Sequence, residues 1–143
     1  MRGKKVTLRS PAGRALTWLL ALYGIASLLH FAHNAEHLAR YPNLPGWLSR
    51  GQIYSAWVLV TVVGAAGYVL HQRGLQRIGL IVLAVYAAIG FDGLLHYSRA
   101  PFATHTTGMN ASIWFEAVAA ALLLAAVAIR AIRLRSRQWQ PMP

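Results

Sequence analysis

The chain alternates long apolar runs with short polar breaks. Four runs stand out: "ALTWLLALYGIASLLHFAHNAEHL" at about 15–38, "IYSAWVLVTVVGAAGYVL" at 53–70, "RIGLIVLAVYAAIGFDGLLHY" at about 77–97 and "ASIWFEAVAAALLLAAVAIR" at 111–130. Each is long enough for a helix crossing a hydrocarbon layer of about 30 Å. None alternates apolar and polar positions along its length, so barrel strands are not expected. The breaks carry turn residues: Pro42, Pro45 and Gly46 in 39–52, "HQRGLQ" at 71–76, and Pro101 and Gly108 in 98–110. Short connections make sequential helices antiparallel. The pattern predicts an all-α integral membrane protein, an up-down-up-down bundle of four transmembrane helices over 14–133. A basic tail, 1–13, precedes it and a second tail, 134–143, follows.

Composition agrees with the pattern. Hydrophobic residues make up 57% and charged residues 12%, against roughly 25% charged in soluble domains. There is no cysteine, which excludes disulfides, thiolate metal sites and thiol nucleophiles. The net charge of +11 would suggest nucleic acid in a soluble chain. Here the basic residues flank the apolar runs, so they are expected to meet lipid headgroups, and nucleic acid is not an expected partner.

Their distribution orients the bundle. Arg2, Lys4, Lys5, Arg9, Arg14, Arg73, Arg77, Arg130, Arg133, Arg135 and Arg137 fall on one side, and only Arg40, Arg50 and Arg99 on the other. The positive-inside rule then predicts both termini in the cytoplasm, with a bacterial inner membrane as the expected location. Trp47, Tyr54, Trp57 and Trp114 fall near the outer boundary, as an aromatic belt would. The first run has a basic front like a signal peptide. No A-x-A site follows it, so it is expected to be retained.

The polar residues inside the runs carry the chemistry. The stretch "HFAHNAEHLAR", 30–40, closes the first span. The only acids, Glu36, Asp92 and Glu116, and five of the six histidines, His30, His33, His37, His96 and His105, all fall toward the outer side. His71, in the opposite turn, is the exception. At 100° per residue, His30, His33 and His37 share an arc of about 60°, flanked by Asn34 and Glu36. Asp92 and His96, at i and i+4, would share a helical face. Gln52, Tyr54 and Ser55 of span two could add hydrogen bonds.

Imidazole and carboxylate suit copper, zinc or iron, and a bundle interior is where such sites are built. The expected ligands are His33, His37, Asp92 and His96, followed by Glu116, His30 and His105. Glu36 is divided between the metal and Arg40 at i+4. Asp92 could instead pair with Arg99 or His96, and His105 could be a solvated loop residue. Glu116 has no basic residue within a turn and needs a cross-helix partner, a metal or a proton. Glu116 and Glu36 are also candidate acid/base groups.

The expected function is a metal-binding membrane protein with its site near the outer face. It would be a small metalloenzyme, an oxidoreductase or hydrolase, or an accessory redox subunit acting on a lipophilic substrate. It could work as a homo-oligomer or within a larger membrane complex. Three other readings use the same residues. A b-type haem could sit between His96 and His33 or His37, with Gly90 and Gly93 near the porphyrin, although three carboxylates fit an apolar haem pocket poorly. A metal-free His/Glu pair could modify a lipid by acid/base chemistry. A delivery or assembly factor could carry the metal to a partner.

Asp92-x3-His96 followed by His105 resembles the Asp-x3-His-then-His copper site in the membrane subunit of particulate methane and ammonia monooxygenases. The likeness covers residues 92–105, and the gap to the last histidine is shorter here. It implies copper and oxygen chemistry. P-loop, G-x-S-x-G and H-E-x-x-H motifs are absent. Gly64 and Gly67, and the series Ala117, Ala121 and Ala125, predict close helix packing. Asn110-Ala-Ser112 matches a glycosylation sequon.

Overall fold

The computed structural model describes residues 11–137. Tail residues Arg2, Lys4, Lys5 and Arg9, and the stretch 138–143, lie outside the described residues. Five helices are named here: α1 (Pro11–Glu36), α2 (Arg50–Gln72), α3 (Gln76–Ile89), α4 (His96–Arg99) and α5 (Thr107–Arg137). No strand occurs among the described residues. Four segments are long and apolar enough to cross a membrane: Gly13–Glu36, Arg50–Gln72, Gln76–Arg99 and Thr107–Ser136.

The helices pack in a ring, α1 against α2, α2 against α3, α3 against α5, and α5 back against α1. Their directions alternate. The start of α1, the end of α2, the start of α3 and the end of α5 meet at one end, around Gly13, His71, Gln76 and Arg130. That end, which holds most of the arginines, is called the basic end. The opposite one, with all three acids, is the acidic end.

Buried residues on α5 recur as Met109, Ile113, Glu116, Ala120, Leu123 and Val127, a helical stripe facing the bundle. Ala117 is buried beside it, but Ala121 and Ala125 are exposed. The expected small-residue series therefore faces partly outward, because the buried stripe runs through Ala120 instead. The outer faces are apolar: Trp18, Leu59, Ile81 and Ile132 are all more than half exposed, as suits a surface covered by lipid.

Local chemistry sets the ends. Ser49 opens α2 with a capping box: its Oγ accepts from the Gln52 N–H at 3.3 Å, and Gln52 Oε1 accepts from the Ser49 N–H at 2.8 Å. The turn after α2 needs a left-handed residue and has Gly74 at φ 91. Gly64 lies under the ring of Tyr86, where a Cβ would stand 2.6 Å from a ring carbon. That contact bears out the close packing expected of span two.

The third span breaks where a continuous helix was expected. α3 stops at Ile89, residues 92–95 form a 3₁₀ turn, and α4 adds one last turn. Gly90 N–H bonds the Ala87 carbonyl instead of the carbonyl of Tyr86. The Tyr86 carbonyl is thus released and accepts from the Tyr23 hydroxyl of α1 at 3.1 Å. Any Cβ at Gly90 would stand 2.5 Å from the Tyr23 ring, so this crossing requires glycine. Asp92 and His96 are consequently not one α-helical face. In a 3₁₀ turn residues i and i+3 eclipse and i+4 points about 120° away. Broken backbone at membrane depth occurs where it is buried in protein or lines a cavity. Gly93 is buried, and Asp92 lines a cavity.

Candidate functional site

The acidic end is organised around two buried side chains. His30 of α1 and Glu116 of α5 are 2% and 1% exposed, and His30 Nε2 lies 3.6 Å from Glu116 Oε2. Gly93 makes this approach possible, since a Cβ there would stand 3.2 Å from His30 Nε2 and 3.6 Å from Glu116 Oε2. Neither Glu116 oxygen has a hydrogen-bond partner among the described residues, and Ser27 stands beside the carboxyl without meeting hydrogen-bond geometry. A buried carboxyl group without partners is costly.

The tautomer of His30 follows from its neighbours. Ser112 Oγ donates to the Met109 carbonyl at 2.9 Å. It therefore accepts from His30 Nδ1 at 3.3 Å. The Nε2 lone pair is left pointing inward, where Asn34 Nδ2 reaches it at 3.1 Å. The same amide nitrogen lies 3.5 Å from His96 Nε2. Asn34 thus stands between two imidazole nitrogens, while its own Oδ1 is buried without a hydrogen-bond partner among the described residues. The rings of His30 and His96 are 5.6 Å apart, edge to face.

His105 repeats the arrangement in the loop. Its Nδ1 donates to the Pro101 carbonyl at 3.1 Å, and its Nε2 is buried with no partner among the described residues. The ring is 6% exposed, so the solvated-loop alternative does not hold. It lies 6.2 Å from the ring of His96. Asn110 fixes the loop: its Nδ2 donates to the carbonyls of Phe102 and His105, both at 3.3 Å, and its Oδ1 accepts from the Tyr97 hydroxyl at 2.9 Å.

The other histidines of the first span form a separate group. His33 Nδ1 is 2.8 Å from the Tyr41 hydroxyl, and the His33 and His37 rings are 4.6 Å apart with their planes tilted by 56°. Tyr41 is buried, and burial pushes its hydroxyl up to about 12, so it stays neutral at physiological pH. It also packs on His96, with ring centroids 4.9 Å apart. His37 sits one residue past the end of α1 and leads into a 3₁₀ turn over Leu38–Arg40.

The carboxylates separate. Glu36 is exposed and pairs with Arg50 at 2.7 Å, not with Arg40 at i+4, and accepts from the Tyr54 hydroxyl at 2.8 Å. Asp92 is exposed at the edge of a cavity of about 210 Å³. That cavity lies between α1, α2 and the broken span. His30, Asn34, Gln52 and His96 give it polar groups, and Phe31, Leu48 and Ile53 give it apolar ones. Among the described residues no three His, Asp or Glu side chains converge closely enough to hold one ion as they stand.

Asn34, Ser112, Gly93 and Tyr41 hold central places in the site that the sequence pattern does not announce. The i+4 spacing of Asn34 from His30 was the available signal. The other three act across long sequence separations. No protein-family model, curated protein or solved structure matches this chain. The likeness to the monooxygenase copper site therefore rests on residues 92–105 alone.

Proposed function

We propose that this is a membrane metalloprotein whose acidic end binds a transition-metal cation through His30, Glu116 and His96. The observation that carries this reading is the face-off between His30 Nε2 and Glu116 Oε2 at 3.6 Å. The first is a lone pair met by the Asn34 amide alone, and the second belongs to a carboxyl group with no hydrogen-bond donor among the described residues. Two acceptors at that distance call for something positive near both. Ligand atoms about 2.0–2.2 Å from a tetrahedral ion stand roughly 3.4 Å apart, and two bound imidazole rings are centred roughly 5 Å apart. The His30–Glu116 and His30–His96 spacings are close to both values. Asn34 Nδ2 occupies the point at which the two imidazoles aim. Swinging the Asn34 side chain aside would open the point to an ion. His105, with its Nδ1 held by a carbonyl, has the orientation typical of metal-binding histidines.

In this reading Asp92 and the adjoining cavity receive a lipophilic substrate from the bilayer, and the metal supplies Lewis acidity or redox chemistry. The basic end faces the cytoplasm by the positive-inside rule, which puts the site toward the outer face of the membrane. A metal-free version is favoured by the same pair: a proton shared by Glu116 and His30 beside a cavity is an acid/base couple. Elemental analysis of the purified protein decides between them. The metal reading expects a transition metal near one per chain, lost in Glu116→Gln and in His30→Ala. Metal-free wild-type protein, still metal-free after incubation with copper, zinc or iron salts, would overturn it in favour of the acid/base couple. An optical spectrum of the same sample would reveal a haem by its Soret band.

A further inference from the structure

A groove of about 550 Å³ runs between α3 and α5 at the basic end, away from the His30–Glu116 site. Leu80 and Ala84 form one wall, and Leu124, Ala128 and Ala131 form the other. Small alanines make it a trough, and it follows α5 from Leu124 to Arg135, roughly 16 Å at the helical rise. Arg77 and Arg135 close its mouth. Beyond them a second space of about 390 Å³, lined by Gly74, Gln76, Arg77 and Leu134, continues the groove through Arg77 and Leu134. α3 begins at this second space, and Leu75 gives its first turn no side-chain cap. The acids nearest in sequence on these two spans, Asp92 and Glu116, belong to the opposite end.

We propose that this groove binds one anionic phospholipid, its acyl chain in the trough and its phosphate between Arg77 and Arg135. An apolar channel in register with a membrane span is complementary to an acyl chain. Guanidinium groups form forked hydrogen bonds with phosphate oxygens, and their long stems lie along apolar surface while the charge reaches the headgroup level. The second space leaves room for the headgroup. First-turn N–H groups of α3 add favourable dipoles for an anion. A zwitterionic headgroup would bring its own cation to this arginine pair and bind less well.

Native mass spectrometry of the purified full chain in detergent tests the site, with phosphatidylglycerol or phosphatidylcholine titrated in. One phosphatidylglycerol should be retained per chain, with phosphatidylcholine held at least about tenfold more weakly. The double variant Arg77→Gln/Arg135→Gln should lower phosphatidylglycerol retention by about tenfold or more. Ala128→Trp should do so by filling the trough with both charges kept. Arg133→Gln, beside the groove but not lining it, should leave retention unchanged. Thermal unfolding of each variant checks that it is folded. Equal binding of the two lipids, or an equal loss in Arg133→Gln, would overturn the proposal by reducing it to general electrostatic attraction. Displacement of the lipid by inorganic phosphate alone would overturn it in favour of a free anion. A lipid-free dimer would overturn it in favour of a second copy of the chain.

Discussion

At the end where α1 begins, Arg130 donates to His71 Nε2 at 3.1 Å, and one atom, His71 Nδ1, is buried without a hydrogen-bond partner among the described residues. At the end where α1 stops, Glu116 is buried with no hydrogen-bond partner for either oxygen, and His105 Nε2 is buried likewise, among the described residues. Both ends bring polar groups from several helices together, yet they do so differently. The basic end places its charges at helix termini, where long side chains can reach water or headgroups. The acidic end buries a short carboxyl side chain beside His30 and gives it no hydrogen bond among the described residues. Glu36 makes the contrast sharper, for it lies at the same end and is satisfied by Arg50 and Tyr54. A polar residue at a span end can thus be accommodated cheaply. Glu116 has no such hydrogen-bond partner among the described residues, which is why the proposed function is built on it.

The contrast can be broken at its strongest point first. Glu116→Leu in metal-free protein should raise stability by about 1–4 kcal/mol, because apolar replacement removes an uncompensated buried polar group. Unfolding in detergent would measure this, and a loss of stability would mean that Glu116 already has a partner. Next is the helix break. Gly90→Ala should cost about 1–3 kcal/mol, since its Cβ must displace Tyr23 or Ala120. The same unfolding assay reads it, together with a weakening of the metal site predicted above. Tyr23→Phe is smaller. It strips the Tyr86 carbonyl of its donor and should cost about 0.5–1.5 kcal/mol. The smallest effect belongs to Glu36→Gln, worth about 0–1 kcal/mol for an exposed pair. It should leave metal content untouched, and loss of metal in this variant would move the site toward Glu36.

The spans were legible because each needs only length and hydropathy to be seen. The gathering of acids and histidines at one end was legible too, since alternating helices fix which span ends meet. What sequence periodicity missed was the break after Ile89. Uninterrupted α-helix puts Asp92 and His96 on one face, and only the close crossing of Gly90 with Tyr23 shows why the helix yields there. The partner of Glu36 was missed for a related reason. Arg40 is near in sequence, but the chain leaves α1 at His37 and a loop returns Arg50 to the carboxylate. Helical spacing ranks neighbours within an element and is silent on those that a turn brings back. The inward orientation of His105 depends on the backbone of Pro101 and on Asn110, which no pattern of side-chain types announces.

Asn110 has a consequence outside the geometry of the site. It is the asparagine of an Asn-Ala-Ser sequon, and its amide nitrogen is already committed to two carbonyls of the 102–105 turn. A sugar attached to that nitrogen would take one of its two hydrogens and so break one of these two bonds. Carrying a glycan and holding this loop through both carbonyls are therefore competing uses of one atom.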